Sequence, residues 1–378
     1  MSALTVPPFR ADHVGSLLRP TKLVEARAQR ARGELTPDQL RALEDQSIRE
    51  VVAMQEGVGL QSATDGELRR TSWHMDFIYQ LGGITQTDEK LKVHFTNEQG
   101  ELDFETAALR VRDRVTLPKT IFGDAFEFLR NTVSTTTPKL TPKLTIPSPN
   151  MVHYRGGRAS IDPSVYPELE DFWEDLAAAY KEEIRRLGEL GCTYLQLDDT
   201  SLAYLNDPHQ REMVAARGED ADHQHERYIR QINASIAGRP EGMRVTTHMC
   251  RGNFQSSWAA EGGYDFVAEA LFSSLDVDGF FLEFDDARSG TFAPLRFVPP
   301  GKQVVLGLVT TKRGALEDKD ALKRRIDEAS KYVPLDQLCL SPQCGFSSTV
   351  EGNALTYDEQ VAKLRLVVET AADVWGAP

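Results

Sequence analysis

A histidine, two cysteines and a glutamate fall at the ends of predicted strands, where together they could hold a metal ion. The apolar segment 245–250 predicts a buried strand that ends in His248 and Cys250. Side chains two positions apart in a strand point the same way, so this imidazole and this thiol can reach one point. Two later predicted strands lead to Glu283 and Cys344. This donor set suits Zn²⁺. The alternative, core thiols beside a satisfied core histidine, does not explain the shared strand-end positions.

Carboxylates follow two other predicted strands. Glu67 lies in the phrase Thr64-Asp65-Gly66-Glu67-Leu68-Arg69-Arg70, and Asp198 precedes Asp199 directly after an apolar run. Buried carboxylates need partners, so both segments could bind a polar ligand. A surface salt-bridge loop at 64–70 and a helix cap at Asp198-Asp199 are the alternatives. His13 and Ser16, in the polar phrase 9–20, are either ligand contacts or loop polar groups.

The elements that position these residues alternate between strands and helices about eight times. Strands are predicted at 9–14, 60–65, 144–149, 194–199, 245–250, 279–284, 303–309 and 337–344. Helices are predicted at 37–57, 120–132, 166–190, 222–237, 264–271, 319–332 and 357–375. Apolar strands separated by helices indicate a parallel sheet covered by helices.

The predicted fold class is α/β, a (β/α)8 TIM barrel in which the loops after the strands share one face. The candidate groups all occur in those loops: Ser16, Glu67, Asp198, His248, Cys250, Glu283, Lys312 and Cys344. An open doubly wound sheet is the second possibility, but the chain has no Gly-rich phosphate fingerprint after its first strand. Residues 80–118 interrupt the alternation of strands and helices and predict an inserted hairpin or small sheet. One barrel domain over 1–378 is expected.

Composition narrows the class of protein. The 378 residues carry a formal net charge of −14, which argues against nucleic acid and anionic membrane surfaces as partners. No apolar run reaches membrane-spanning length, and the first ten residues lack the apolar core of an export signal. Four cysteines in a chain of this length are too few for a disulfide scaffold. A cytoplasmic location with thiols free to bind metal is therefore expected.

The metal motifs resemble those of cobalamin-independent methionine synthase. The phrases that carry the resemblance are Thr247-His248-Met249-Cys250, Leu282-Glu283 and Pro342-Gln343-Cys344-Gly345, supported by Asp65-Gly66-Glu67 and Leu195-Gln196-Leu197-Asp198. The resemblance is to the C-terminal catalytic barrel and covers nearly the whole chain. It is greatest to a short, single-barrel group whose members begin with a phrase like residues 10–20.

This resemblance implies specific roles. His248, Cys250, Glu283 and Cys344 would ligate Zn²⁺. Glu67 and Asp198 would hold the amino group of homocysteine, and Ser16, with His13 nearby in the same phrase, would lie at its carboxylate. The implied reaction is S-methylation of homocysteine to methionine.

The departures from the family pattern fall on the methyl-donor side. Lys312, in Val309-Thr310-Thr311-Lys312-Arg313, stands where the full-length enzyme has a histidine credited with protonating folate, and the folate loop is replaced around 145–149. The donor could therefore be 5-methyltetrahydrofolate or a corrinoid, with a corrinoid or accessory protein as possible partner. A zinc thiol transferase that acts on another electrophile, like the epoxyalkane:coenzyme M transferases, and a non-catalytic barrel that binds homocysteine or methionine remain open.

Overall fold

The computed structural model describes residues 4–97, 100–136 and 139–376. Its helices are α1 (Thr21–Ala31), α2 (Pro37–Gly57), α3 (Met75–Ile78), α4 (Gly123–Val133), α5 (Leu169–Glu189), α6 (Ser201–Tyr204), α7 (Pro208–Ala216), α8 (Gln224–Ile236), α9 (Ala268–Ser274), α10 (Lys319–Ala329) and α11 (Tyr357–Trp375). Its strands are β1 (Ser62–Ala63), β2 (Gly82–Asn97), β3 (Gly100–Thr116), β4 (Thr141–Pro142), β5 (Leu144–Pro147), β6 (Tyr194–Asp199), β7 (Arg244–Met249), β8 (Gly279–Glu283), β9 (Gln303–Val309) and β10 (Leu338–Pro342).

The strands form a parallel barrel with helices outside it. Strands β5 to β10 pair side by side in chain order, all parallel, and β1 pairs in parallel with β4. The segment around Ala11 completes the circle, since it bridges Leu340 of β10 in parallel. On its other side, the Leu17 N–H donates to the Gly66 carbonyl at 3.1 Å just beyond β1. The segment around Ala11, β1, the consecutive strands β4 and β5 counted as one, and β6 to β10 give eight parallel strand positions in chain order. This arrangement confirms the predicted (β/α)8 fold.

Local sequence signals explain where two of the three longest helices begin. Thr36 caps α2 and Thr356 caps α11, each through a reciprocal capping box with the residue three positions later, as such sequences favour. Both helices begin where the sequence predicts. Other predictions were less accurate: α9 begins at Ala268 rather than near 264, α5 begins at Leu169 rather than near 166, and α1 and α7 were not predicted. The α1 segment is polar, with only Leu23 and Ala26 buried, so its apolar periodicity is weak.

An ion pair fills part of the barrel interior. The Lys143 ammonium lies 3.3 Å from the Asp12 carboxylate, and both side chains are fully buried. Tyr194 donates a hydrogen bond of 2.8 Å to the same carboxylate, and the ammonium stands 4.0 Å from the ring centre of Phe281. These partners offset the cost of burying both charges.

The predicted insertion at 80–118 is a long antiparallel hairpin of β2 and β3; residues 98–99, between the two strands in the sequence, lie outside the described residues. Its end pairs with a loop of the barrel through a bridge between Thr96 and Trp258. The rings of Phe95 and Phe254 pack 5.4 Å apart at the same place. The hairpin therefore covers part of the barrel face at the carboxyl ends of the strands. Among the described helices, none is long and apolar enough to cross a membrane.

Candidate active site

Four potential metal ligands converge at the carboxyl ends of three strands. His248 is in β7 and Glu283 ends β8, while Cys250 and Cys344 lie just beyond β7 and β10. Their ligand atoms all lie within 4.8 Å of one another. The two Sγ atoms are 3.5 Å apart, and Nε2 of His248 is 3.8 Å from Oε1 of Glu283. Neighbouring ligands of a tetrahedral zinc ion lie roughly 3.3–3.8 Å apart, given its bond lengths, so these separations fit such an ion.

The hydrogen bonding around Glu283 also fits a cation. Its Oε2 accepts from the Arg251 N–H at 3.3 Å and lies 3.8 Å from the Arg251 guanidinium. Its Oε1, which points toward His248, is buried without a hydrogen-bond partner. A buried carboxylate oxygen without a partner is costly, and a metal ion among these four ligands would remove that cost.

The electrostatic field at the cluster is negative. Burial alone lowers the pKa of the His248 imidazole, but the hydrogen bond to Asp198 and the charges of Cys344, Asp198 and Glu283 raise it to about 9. A hydrogen bond from Cys250 lowers the pKa of the Cys344 thiol, while that bond and burial raise the pKa of Cys250. The cluster therefore favours positive charge at its centre.

A cavity of about 490 Å³ opens beside the cluster, and Glu67, Asp198 and Ser16 line it together with His248, Cys250 and Cys344. Burial and the nearby Asp198 charge raise the pKa of Glu67, although Arg70, 3.7 Å away, opposes the shift. Glu67 has a positive φ of 59°, and Thr145 fixes its carboxylate by donating a hydrogen bond of 2.8 Å. Two facing carboxylates of this kind would be stabilised by a bound ammonium group.

The two adjacent aspartates at the end of β6 have different roles. The Asp198 carboxylate accepts from Gln196 at 2.7 Å and lies 3.5 Å from Nδ1 of His248. Asp199 faces the opposite way and accepts from the Leu202 N–H at 2.8 Å, at the start of α6. The capping alternative is therefore right for Asp199, while Asp198 lines the cavity.

The structure does not bring His13 into the cavity. Its side chain is 1% exposed, and burial lowers its pKa to about 4. Its neighbours Asp12 and Val14 face the barrel interior, where they contact Lys143 and Phe281. His13 therefore points outward, toward Gln55 of α2, because successive strand residues face opposite sides.

Lys312 is also turned away from the cavity. Its ammonium lies 3.0 Å from the buried Asp285 carboxylate, and Lys312 is not among the residues that line the cavity. Burial opposes its charge, but Asp285 and Glu283 raise its pKa above the ordinary value. Lys312 therefore keeps its proton and is poorly suited to protonate a leaving group.

The remaining walls of the cavity were missed by sequence reasoning. They come from the loop after β1, α3, the hairpin and the segments after β5, β6, β7 and β10: Thr71, Ser72, Trp73, His74, Met75, Asp76, Tyr79, Gln86, Val93, Phe95, Glu105, Arg155, Thr200, Tyr204, Gly252, Asn253, Phe254, Ser348, Thr349, Val350 and Glu351. The clearest available signal was the aromatic pair Trp73-His74, which directly follows the Asp-Gly-Glu loop.

Comparison with known proteins identifies the family. Residues 110–373 match the family described as "Cobalamin-independent synthase, Catalytic domain". The chain belongs to the cobalamin-independent methionine synthase family. This membership makes it an enzyme of the methyltransferase class. Two Bacillus subtilis proteins described as uncharacterized, YxjH and YxjG, are each 47% identical to this chain. The matches cover 97% and 98% of this chain and 95% of each relative.

Solved structures of this family agree with the barrel. A Listeria monocytogenes protein described as a putative vitamin-B12 independent methionine synthase is 38% identical, with a TM-score of 0.79 over 99% of this chain and 100% of its own. A Shewanella B12-independent methionine synthase, solved with selenomethionine, has a TM-score of 0.71 at 19% identity over 97% of each chain, which supports the fold.

The chain matches less than half of the long family members. The 5-methyltetrahydropteroyltriglutamate–homocysteine methyltransferase of Bacillus licheniformis is 23% identical over 99% of this chain but only 44% of its own length. This family member therefore corresponds to one portion of that longer protein.

Proposed function

We propose that this protein is a zinc-dependent S-methyltransferase that methylates homocysteine to methionine, with the chain acting as one barrel domain. The observation that carries the proposal is the convergence of His248, Cys250, Glu283 and Cys344 beside a cavity lined by Glu67 and Asp198. The methyl donor is 5-methyltetrahydrofolate or a corrinoid, and a corrinoid or accessory protein is a possible partner.

The ligand set favours zinc over other metals. Two thiolates, an imidazole and a carboxylate make a soft-to-borderline site, whereas magnesium and calcium prefer oxygen alone. When bound, Zn²⁺ supplies the positive charge that keeps a substrate thiol deprotonated at neutral pH. His248, Cys250, Glu283 and Cys344 would hold it.

The carboxylates then select and orient the thiol substrate. Glu67 and Asp198 would bind the ammonium group of homocysteine, and Ser16 would donate to its carboxylate. The Ser16 hydroxyl lies where a side chain on Gly345 would begin, so the glycine leaves that hydroxyl accessible. This arrangement would hold the sulfur at the cluster with its reactive face toward the rest of the cavity, which favours attack on a methyl group.

Two other functions are less well supported. A transferase acting on coenzyme M would present a sulfonate to Glu67 and Asp198, and these negative charges would repel it. A non-catalytic barrel that binds homocysteine or methionine would share the metal cluster and both carboxylates, so zinc content does not distinguish it from an enzyme.

Methyl transfer itself distinguishes these functions. Zinc-loaded protein is incubated with homocysteine and, separately, with 5-methyltetrahydrofolate in mono- and polyglutamate forms or with methylcobalamin, and methionine is measured. We expect methionine with at least one donor, and no methylated thiol when homocysteine is replaced by coenzyme M. Homocysteine binding without methionine formation from any of these donors would contradict the proposed activity.

A further inference from the structure

One side of the cavity carries polar groups that have no protein partner. Nε2 of His74 and Nε of Arg155 are buried without a hydrogen-bond partner, and the buried Tyr204 hydroxyl has the Arg155 side chain as its neighbour. Tyr204 is 1% exposed and His74 is 7% exposed. Among the described residues, no carboxylate lies within ion-pair distance of Arg155. Buried polar groups are nearly always satisfied, so the unpartnered atoms of His74 and Arg155 point to a ligand.

All three groups act as hydrogen-bond donors. The Ser72 hydroxyl oxygen accepts from the Met75 N–H at 3.2 Å and lies 3.2 Å from Nδ1 of His74. Because the Ser72 hydroxyl proton needs an acceptor, it donates to Nδ1, and the imidazole hydrogen then resides on Nε2. The Arg155 guanidinium only donates, and its charge acts on both His74 and Tyr204. Together, His74, Arg155 and Tyr204 form a surface of hydrogen-bond donors that carries one positive charge, here called the donor wall.

This donor wall lies where two cavities meet. Arg155, Tyr204 and Val93 line both the cavity at the cluster and a second cavity of about 500 Å³ under the hairpin. The second cavity is also lined by Lys92, His94, His209 and Trp258 and by the carboxylates Glu101, Asp207 and Glu261. The hydroxyl of Tyr204 stands against Gly252, two residues beyond Cys250. A ligand at the donor wall can therefore approach the reacting sulfur and extend under the hairpin.

We propose that Arg155, Tyr204 and His74 bind the methyl donor and select a neutral or anionic, acceptor-bearing donor over a sulfonium or quaternary ammonium donor. The inference rests on the proposed function. In the transfer, the sulfur–methyl bond forms, the bond between methyl and leaving atom breaks, and its electron pair stays on the leaving atom. The three donors stabilise that added negative charge, whereas an onium donor would bring a second cation to Arg155.

The test measures the binding of three probes by calorimetry, using zinc-loaded protein saturated with methionine so that the amino-acid site at Glu67 and Asp198 is already occupied. The acceptor-bearing probes are 5-methyltetrahydrofolate and methylcobalamin, and the sulfonium probe is S-methylmethionine. We expect at least one acceptor-bearing probe to bind the wild type more tightly than S-methylmethionine does. Arg155→Met should weaken that binding about 10- to 100-fold, as expected for the loss of a charged hydrogen bond, and Arg155→Lys should restore part of it. Tyr204→Phe should weaken it about 3- to 10-fold.

Two controls separate this inference from the proposed function. Arg230→Met, at an exposed arginine outside the barrel, should change nothing. Homocysteine affinity, measured separately, should stay within about twofold in every variant. Unchanged probe affinity in Arg155→Met, tighter binding of S-methylmethionine, or no binding of either acceptor-bearing probe would overturn the inference. If Arg155→Met lost homocysteine affinity by as much as it lost probe affinity, Arg155 would belong to the thiol-substrate site, and the inference would be overturned. Failure of the wild type to bind homocysteine would count against the proposed function instead.

Discussion

The two sides of the cavity are built from different parts of the chain. The thiol side consists of strand ends, where β6, β7 and β8 fix Asp198, His248 and Glu283 through parallel pairing. The methyl-donor side consists of the hairpin, α3, the loop that carries Arg155 and the short helix α6 that carries Tyr204. The first side is built on the barrel strands, while the second is built on the insertion and the connecting segments.

This difference separates two requirements of the reaction. Holding a metal ion needs ligand positions fixed to within a fraction of an ångström, which strand ends provide. Admitting and releasing a second substrate needs elements that can move, which loops and insertions provide. The predictions below change one side and ask whether the other responds.

The largest effect is expected from the thiol ligands. Cys250→Ala or Cys344→Ala should remove most of the bound zinc, because three remaining ligands hold the metal far less tightly. Elemental analysis of purified protein measures the zinc content. Cys192→Ala, which changes a buried thiol outside the cluster, is the matched control and should retain zinc. Full zinc content in both ligand variants would assign the thiols to the core.

Next is the carboxylate that would bind the amino group. Asp198→Asn should keep zinc and the fold but weaken homocysteine binding about 10- to 100-fold, since a charged hydrogen bond contributes about 1.5–3 kcal/mol. Asp199→Asn is the control, because that carboxylate caps α6 and should affect stability instead. Calorimetry with homocysteine makes the comparison. Equal affinities for the wild type and Asp198→Asn would remove Asp198 from the substrate site.

A smaller effect is expected on the donor side. Phe95→Ala removes the ring that packs on Phe254 at 5.4 Å, and such pairs contribute about 0.5–1.5 kcal/mol. The KM for the methyl donor should rise about 3- to 10-fold while homocysteine affinity stays unchanged. Steady-state kinetics with the donor varied at saturating homocysteine tests this. A rise in both constants would show that the two sides are not independent.

The smallest effect at the site concerns stability and pH. Burial, helped by the charge of Arg155, lowers the pKa of His74 to about 3, against about 6.5 in the unfolded chain. As the pH falls, the unfolded state therefore binds this proton before the folded state does. The contribution of His74 to stability is fully present above pH 6.5 and is lost as the pH falls toward 3. His74→Gln should make the free energy of unfolding fall less steeply between pH 6.5 and 5, by up to about 1.4 kcal/mol per pH unit. Urea titrations at three pH values would show this, and equal slopes would contradict it.

The strand-end chemistry was predictable from the sequence, and the donor side was not. His248 and Cys250 lie two apart in one predicted strand, and Glu283 and Cys344 follow two others, so strand geometry and barrel topology bring them together. Arg155 belongs to no motif, and its place in the cavity depends on how the irregular segment after β5 folds. Such long-range placement leaves no local periodicity to read.

The placement of His13 has a simple physical cause. Side chains alternate across a strand, and Asp12 and Val14 take the interior positions. His13 is therefore directed toward the helices, whatever its chemistry. The same alternation separates Asp198 from Asp199. Strand phase, applied at both places, would have given the correct assignment from the sequence alone.

The hairpin begins and ends at the same point, because Gly82 pairs with Thr116. Protein engineers could therefore treat residues 82–116 as a cassette. A short turn could join the neighbouring segments in its place, since the gap that it must bridge is one strand spacing, about 5 Å. Hairpins from other members of the family could be grafted at the same junction. Co-substrate preference would then become a property that can be exchanged separately from thiol activation.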